Sequence, residues 1–271
     1  MKVFVISLKR AIERRTFMVK QLEELELDYE IVDAVDYQQL SPDEFKSLTD
    51  EEAVKNDPWL TKGAIACALS HVKVFKKIVA DKVDIALVLE DDAVLPKDIK
   101  YVLKLARENI KQDEIIALSY YNRNDRPLEL STQGQVNLGK NLQLLAPVDL
   151  HELASAMAYV IPSEVAEKLQ TMIVPVATQL DYWSDYLVKG GFNSFRCLYP
   201  MSFYAASFRT TLDYAASATW MSKAASVVRK YNIPILIKVL EKRDERSQLS
   251  RYAYNFVDKK ALTVKGVNVL G

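Results

Sequence analysis

"KVFVISLKRAIERRTFMVKQLEELELDYEIVD", Lys2 to Asp33, is two apolar runs flanking a helical one, and its reading decides the fold. The first run, Val3 to Leu8, is continuous and rich in β-branched residues, which suits a strand covered on both faces as in parallel α/β sheets. The middle places Ile12, Phe17, Met18, Leu22 and Leu25 on one face of a helix. A second strand follows from Asp28, so the opening is β-α-β and implies a right-handed crossover.

The same alternation continues outward. Residues Tyr37 to Lys62 are polar, carry the breakers "SPDEF" and "NDPW", and predict a loop with one short helix. Gly63 to Ala80 predicts a helix whose small residues allow close approach to a sheet or a ligand. "DIALVLEDDAVL", Asp84 to Leu95, is the third strand, Asp98 to Ile110 a helix and Asp113 to Tyr121 a fourth strand. Asn122 to Leu150, with Gly134 and Gly139, suits a hairpin; Glu152 to Pro162 is a strand and Ser163 caps the helix that follows. Phe192 to Pro200 is a late strand, and Ser222 to Arg246 is helical in pattern with a break at Pro234. The expected division is a catalytic α/β domain over 1–218 and a basic, mainly helical extension over 219–271.

At 271 residues and 49% hydrophobic composition, the chain can bury one large core. Lys+Arg and Asp+Glu balance at 36 each, so no global charge argues for nucleic acid. From Met221 onward, however, eleven basic residues face four acidic ones, leaving that tail at +7 and the rest at −7. Such a tail suits an anionic membrane surface, although a solvated basic face is the commoner meaning. Two cysteines, Cys67 and Cys197, are too few for a disulfide framework. With no secretory or membrane-spanning segment, the expectation is a cytoplasmic protein, peripheral on the inner face of the cytoplasmic membrane.

The chemistry concentrates at Glu90, Asp91 and Asp92, at the carboxyl end of the third strand, where open α/β sheets bind ligands. Adjacent carboxylates repel, and desolvating them costs several kcal/mol each without a compensating cation. Either the acids form a solvated loop, or Asp92, alone or with Asp91, holds Mn²⁺ or Mg²⁺ against a substrate diphosphate.

Four ordered motifs carry a resemblance. Val5-Ile6-Ser7-Leu8 with Arg10 and Arg15 comes first, then Lys62-Gly63 with Cys67, Ser70 and His71. Leu89-Glu90-Asp91-Asp92 and Ala158-Tyr159-Val160-Ile161 follow, with Asp181 after a loose Pro175-Val176 match. In this order they resemble glycosyltransferase family 25, the lipooligosaccharide and lipopolysaccharide galactosyltransferase-like proteins. Three departures stand out: Ser7 for an Asn, Ala64 for a Glu and Ala66 for a Gly.

The resemblance implies a GT-A-like, Rossmann-like mixed sheet flanked by helices. It also implies metal-assisted, inverting transfer of a sugar, UDP-galactose the expected donor, onto a lipid-linked lipooligosaccharide or lipopolysaccharide acceptor. Ser7, Leu8, Arg10, Arg15, Lys62, Gly63, Ser70, His71, Glu90 and Asp91 then fall on the donor side, and Asp91 and Asp92 on the metal. The base that takes the acceptor proton is expected at Asp181, with Asp185 and Asp149 behind it. Tyr182 and Trp183 are either core residues or acceptor-stacking faces, and His71 suits a structural hydrogen bond better than catalysis. A catalytically silent sugar- or nucleotide-binding relative and a membrane- or partner-docking protein are the alternatives.

Overall fold

The computed structural model describes residues 1–206, 208, 252–261, 263–264 and 267–268. In chain order they form β1 (Lys2–Ser7), α1 (Ile12–Glu24), β2 (Tyr29–Asp33), α2 (Pro42–Ser47), α3 (Glu51–Asn56), α4 (Lys62–Ala80), β3 (Ile85–Glu90) and β4 (Ala93–Val94). Then come α5 (Ile99–Asn109), β5 (Glu114–Ala117), β6 (Tyr121–Asn122), β7 (Leu128–Gly139), β8 (Leu142–Pro147), β9 (Leu153–Ala154) and β10 (Ala158–Pro162). The remainder are α6 (Ser163–Met172), α7 (Trp183–Val188), β11 (Ser194–Tyr199), β12 (Tyr204–Ala205), β13 (Tyr254–Val257), β14 (Thr263–Val264) and β15 (Val267–Asn268).

Nine strands make one mixed sheet in the order β13-β7-β8-β11-β5-β10-β3-β1-β2. β1 lies parallel to both β2 and β3, as the opening β-α-β pattern requires, while β10 inserts antiparallel between β3 and β5. Strand alternation divides the core. Phe4, Ile6, Ala86 and Val88 face α4 and α6, whereas Val3, Val5, Leu87 and Leu89 face α1 and α5. Val3, Phe4, Val5, Leu87, Val88 and Leu89 are fully buried, each worth about 1.5–3 kcal/mol on transfer from water.

The register sets the site. Ile6 pairs with Glu90, so β1 and β3 end side by side and bring Ser7 next to Asp91. The Glu90 N–H donates to Met157 O at 2.8 Å, which holds the approach to β10 against the same edge.

Several elements differ from expectation. The segment between β2 and α4 holds two short helices, each with its own side-chain cap, Ser41 and Asp50. Ser163 is the first residue of α6 rather than its cap; Pro162 holds that position and no side chain caps the helix. Ile12 is 66% exposed, because the apolar face of α1 settles onto the sheet only from Met18 onward. The predicted helix from Ser222 to Arg246 and the boundary at 218 lie outside the described residues. Tyr254–Val257, in the segment expected to be a helical extension, is a strand that pairs parallel with β7 at the sheet edge. No helix among the described residues is long and apolar enough to cross a membrane.

Candidate active site

A cavity of about 390 Å³ opens at the carboxyl ends of β1 and β3, within the usual range for small-molecule sites. β1 and the start of α1 contribute Ser7, Leu8 and Arg14; the first turns of α4 contribute Gly63, Ala64, Ala66, Cys67 and Ser70. The acidic triplet, Ser155 to Met157 and Gln179 to Asp181 complete the lining. Thr61 starts α4, its Oγ1 accepting the Ala64 N–H at 3.2 Å, and the small residues of the next turn leave the cavity open.

Among the described residues, Arg14 is the basic side chain that lines the cavity. Its Nε lies 2.7 Å from Asp91 Oδ1 and its terminal nitrogen 2.6 Å from Asp92 Oδ2. Ser7 Oγ donates to the other Asp91 oxygen at 2.7 Å, so both oxygens of that carboxylate are engaged. Burial nevertheless pushes the Asp91 carboxyl above its ordinary range against the pull of Arg14 and Ser7. Burial, followed by the charge of Glu90, pushes Asp92 up to about 6, with Arg14 opposing. Asp92 Oδ1 is buried and makes no hydrogen bond.

Behind this pair, Glu90 meets α4. Its Oε1 lies 3.5 Å from His71 Nε2 and 3.7 Å from Cys67 Sγ. Burial disfavours the Glu90 carboxylate, but His71, Arg14 and Cys67 outweigh it and hold the group below its usual range. His71 itself is fully buried, with Nδ1 2.7 Å from the Tyr159 hydroxyl.

Asp181 lines the same cavity. Burial raises its carboxyl, opposed by Arg123 and by the Ser155 N–H, which donates to Asp181 Oδ2 at 3.3 Å. Ser155 sits at φ +108°, a strained conformation for a side-chain-bearing residue and one that clusters at functional sites. Its carbonyl accepts the Trp183 Nε1–H at 3.0 Å, which anchors the strained residue to the core.

The cavity therefore gathers Ser7, Leu8, Gly63, Ser70, Glu90, Asp91, Asp92 and Asp181. The other expected residues do not line it. Arg10 pairs with Asp36, and Arg15 ties Asp33 to the Ser7 carbonyl. Lys62 lies over the Phe45 ring, and His71 stands behind Glu90. Asp149 caps a 3-10 turn through the His151 N–H, and Asp185 sits in the first turn of α7. Trp183 is fully buried, so the acceptor-stacking role expected of it is corrected to a structural one. Tyr182 stacks under Arg123, 3.7 Å from ring centroid to guanidinium carbon.

Arg14 is the functional candidate that motif matching passes over, while Cys67 is matched but given no role. Arg14 continues the i, i+4 row of Met18 and Leu22, the buried face of α1, so helical phase points it at the sheet edge. For a hard divalent cation the acidic set offers the unpartnered Asp92 Oδ1, with Asp91 beside it already meeting Ser7 and Arg14 through one contact on each oxygen.

Fold and site together define an open-sheet α/β protein with an acidic ligand cavity at the carboxyl edge of its parallel strands. More narrowly, the chain belongs to glycosyltransferase family 25 (LPS biosynthesis protein), which matches residues 1–184. Over 119 residues it is 35% identical to Procollagen galactosyltransferase 2 of Homo sapiens, covering 42% of this chain and 19% of that protein. A 119-residue match at 34% identity links it to Inactive glycosyltransferase 25 family member 3 of Homo sapiens, over 42% and 20% of the two chains. A Glycosyltransferase 25 family member of Aedes aegypti is 39% identical over 99 residues, 33% of this chain and 16% of the relative. The chain thus spans about a fifth of the length of these curated relatives.

Proposed function

We propose that this protein is an inverting glycosyltransferase that moves a sugar from a nucleoside diphosphate donor to a saccharide acceptor. Galactose from UDP-galactose is the favoured donor, supported by the relative named a galactosyltransferase. A lipopolysaccharide-type, lipid-linked acceptor is supported by the family's description. The basic tail supports a peripheral seat on an anionic membrane. The observation that carries the reading is the convergence of Asp92, Asp181 and Arg14 on one cavity.

Asp92 Oδ1 is the ligand offered to Mn²⁺ or Mg²⁺, while Ser7 and Arg14 brace Asp91 beside it. When bound, such a cation stabilises the negative charge that develops on the departing diphosphate. Asp181 is the base. Its raised carboxyl, once ionised, takes the acceptor hydroxyl proton more readily than an ordinary aspartate does. The acceptor oxygen bonds to the anomeric carbon from the face opposite the nucleotide, the bond to UDP breaks, and the configuration inverts. Trp59, half-exposed on the cavity wall, offers a flat face for the uracil or the sugar.

A second reading, a silent donor-binding protein, is favoured by Ala64 and Ala66, which line the cavity where the family pattern has Glu and Gly. Titration of UDP with Mn²⁺, joined to a turnover screen of UDP-sugars, separates the two. The transferase binds and turns over; binding without turnover establishes the silent reading, and neither sinks both.

A further inference from the structure

Cys67 and His71 lie one turn apart on α4 and face the end of β3, where Glu90 meets them. Their Sγ and Nε2 atoms and a carboxylate oxygen of Glu90 all lie within 4.8 Å of one another. Glu90 Oε1 is the common corner, 3.7 Å from the sulfur and 3.5 Å from the nitrogen. A tetrahedral zinc-type ion, with sulfur at about 2.3 Å and nitrogen or oxygen at about 2.0 Å, separates its ligand atoms by about 3.3–3.5 Å. The two edges that meet at Glu90 Oε1 are therefore within a few tenths of an ångström of ligating separation, and the sulfur and imidazole lie within 4.8 Å of each other.

A second observation points the same way. His71 is fully buried, yet its Nε2 makes no hydrogen bond and points toward Glu90. The opposite nitrogen is 2.7 Å from the Tyr159 hydroxyl, and the two rings stack at 22°. That is the outer-shell contact by which metal-binding histidines are held in orientation.

We infer that Cys67, His71 and Glu90 form a site for a thiophilic divalent cation of the zinc class, with its fourth coordination position open to the cavity. Cys67 and Glu90 line that cavity, so the ion has access from solvent. The set differs in kind from Asp92, an all-oxygen ligand suited to Mn²⁺ or Mg²⁺, because thiolate and imidazole select softer ions. The inference does not depend on sugar transfer.

Co²⁺ is the probe. Titrated into the reduced, chelator-stripped full chain, it is expected to raise a thiolate-to-cobalt charge-transfer band that saturates at one equivalent and is erased by Zn²⁺. Cys67→Ser is expected to abolish the band while leaving circular dichroism and the melting transition intact. Asp92→Asn is expected to keep the band. His71→Gln should lose it too, and if that variant fails to fold, the isosteric Cys67→Ser still decides. No band with the wild type, or a band that survives Cys67→Ser and so belongs to Cys197, overturns the inference. A cobalt band in a protein that neither binds UDP nor turns over a UDP-sugar leaves the inference standing and removes the proposed function alone.

Discussion

Asp92→Asn is expected to stabilise the metal-free protein. The Asp92 carboxyl stands at about 6 against an ordinary 3.8, raised by burial and by the Glu90 charge. Each pH unit of displacement is worth about 1.4 kcal/mol, so the ionised side chain costs about 3 kcal/mol in the folded state. At 24% exposure the side chain keeps some contact with water, which trims the figure to about 2 kcal/mol. The sign follows from proton uptake. Between about pH 4 and 6 the folded chain holds a proton that the unfolded chain has released, so stability falls as pH rises through this window. Above about pH 6 the penalty is complete, and there the neutral amide escapes it. At roughly 2–4 °C per kcal/mol, the variant should melt about 4–8 °C above wild type near neutral pH in chelator. The gain should fade to nothing toward about pH 4. Saturating Mn²⁺ should then raise the wild-type transition and leave the variant unmoved, because only an ion-binding native state gains by mass action. A variant no more stable than wild type near neutral pH, or a gain unchanged in acid, refutes the reasoning.

Two further substitutions probe the frame that carries the site. Glu114 is fully buried and held by Arg196 at 2.5 and 2.6 Å, so Arg196→Met strands a carboxylate. Chemical denaturation should show a loss of about 3–5 kcal/mol, largely recovered in the double variant with Glu114→Gln, and additive losses would contradict the pairing. Trp183→Phe removes the donor to the Ser155 carbonyl and should cost about 1–3 kcal/mol, with turnover falling as Ser155 loosens against Asp181. Unchanged turnover would separate that anchor from the site.

The parts of the fold that declare themselves in sequence are those with long unmixed periodicity. β1, α1 and β2 are legible because a buried parallel strand is apolar on both faces and the helix between them is not. The triplet is legible as a strand end for the same reason. What hides is whatever depends on register or on distant partners. Nothing in the runs themselves says that Ile6 pairs with Glu90, yet that pairing puts Ser7 on Asp91. Arg10, Arg14 and Arg15 look alike in a motif; only the row through Met18 and Leu22 singles out Arg14. Trp183 is apolar with a polar edge and so fits a stacking platform or a core anchor equally well, and packing decides for the core. β13 is four residues without periodicity, made a strand by β7, which lies far away in the chain.

The most direct test of the site as a nucleotide-sugar transfer centre is the Mn²⁺ dependence of UDP release from UDP-galactose, compared between wild type and Asp92→Asn at equal protein and metal. The geometry calls for metal-dependent turnover in the wild type and a loss of about a hundredfold or more in a variant that remains folded. Equal metal-dependent rates in the two proteins would contradict the assignment of Asp92, and no turnover from any UDP-sugar by a folded wild type would contradict the transferase itself.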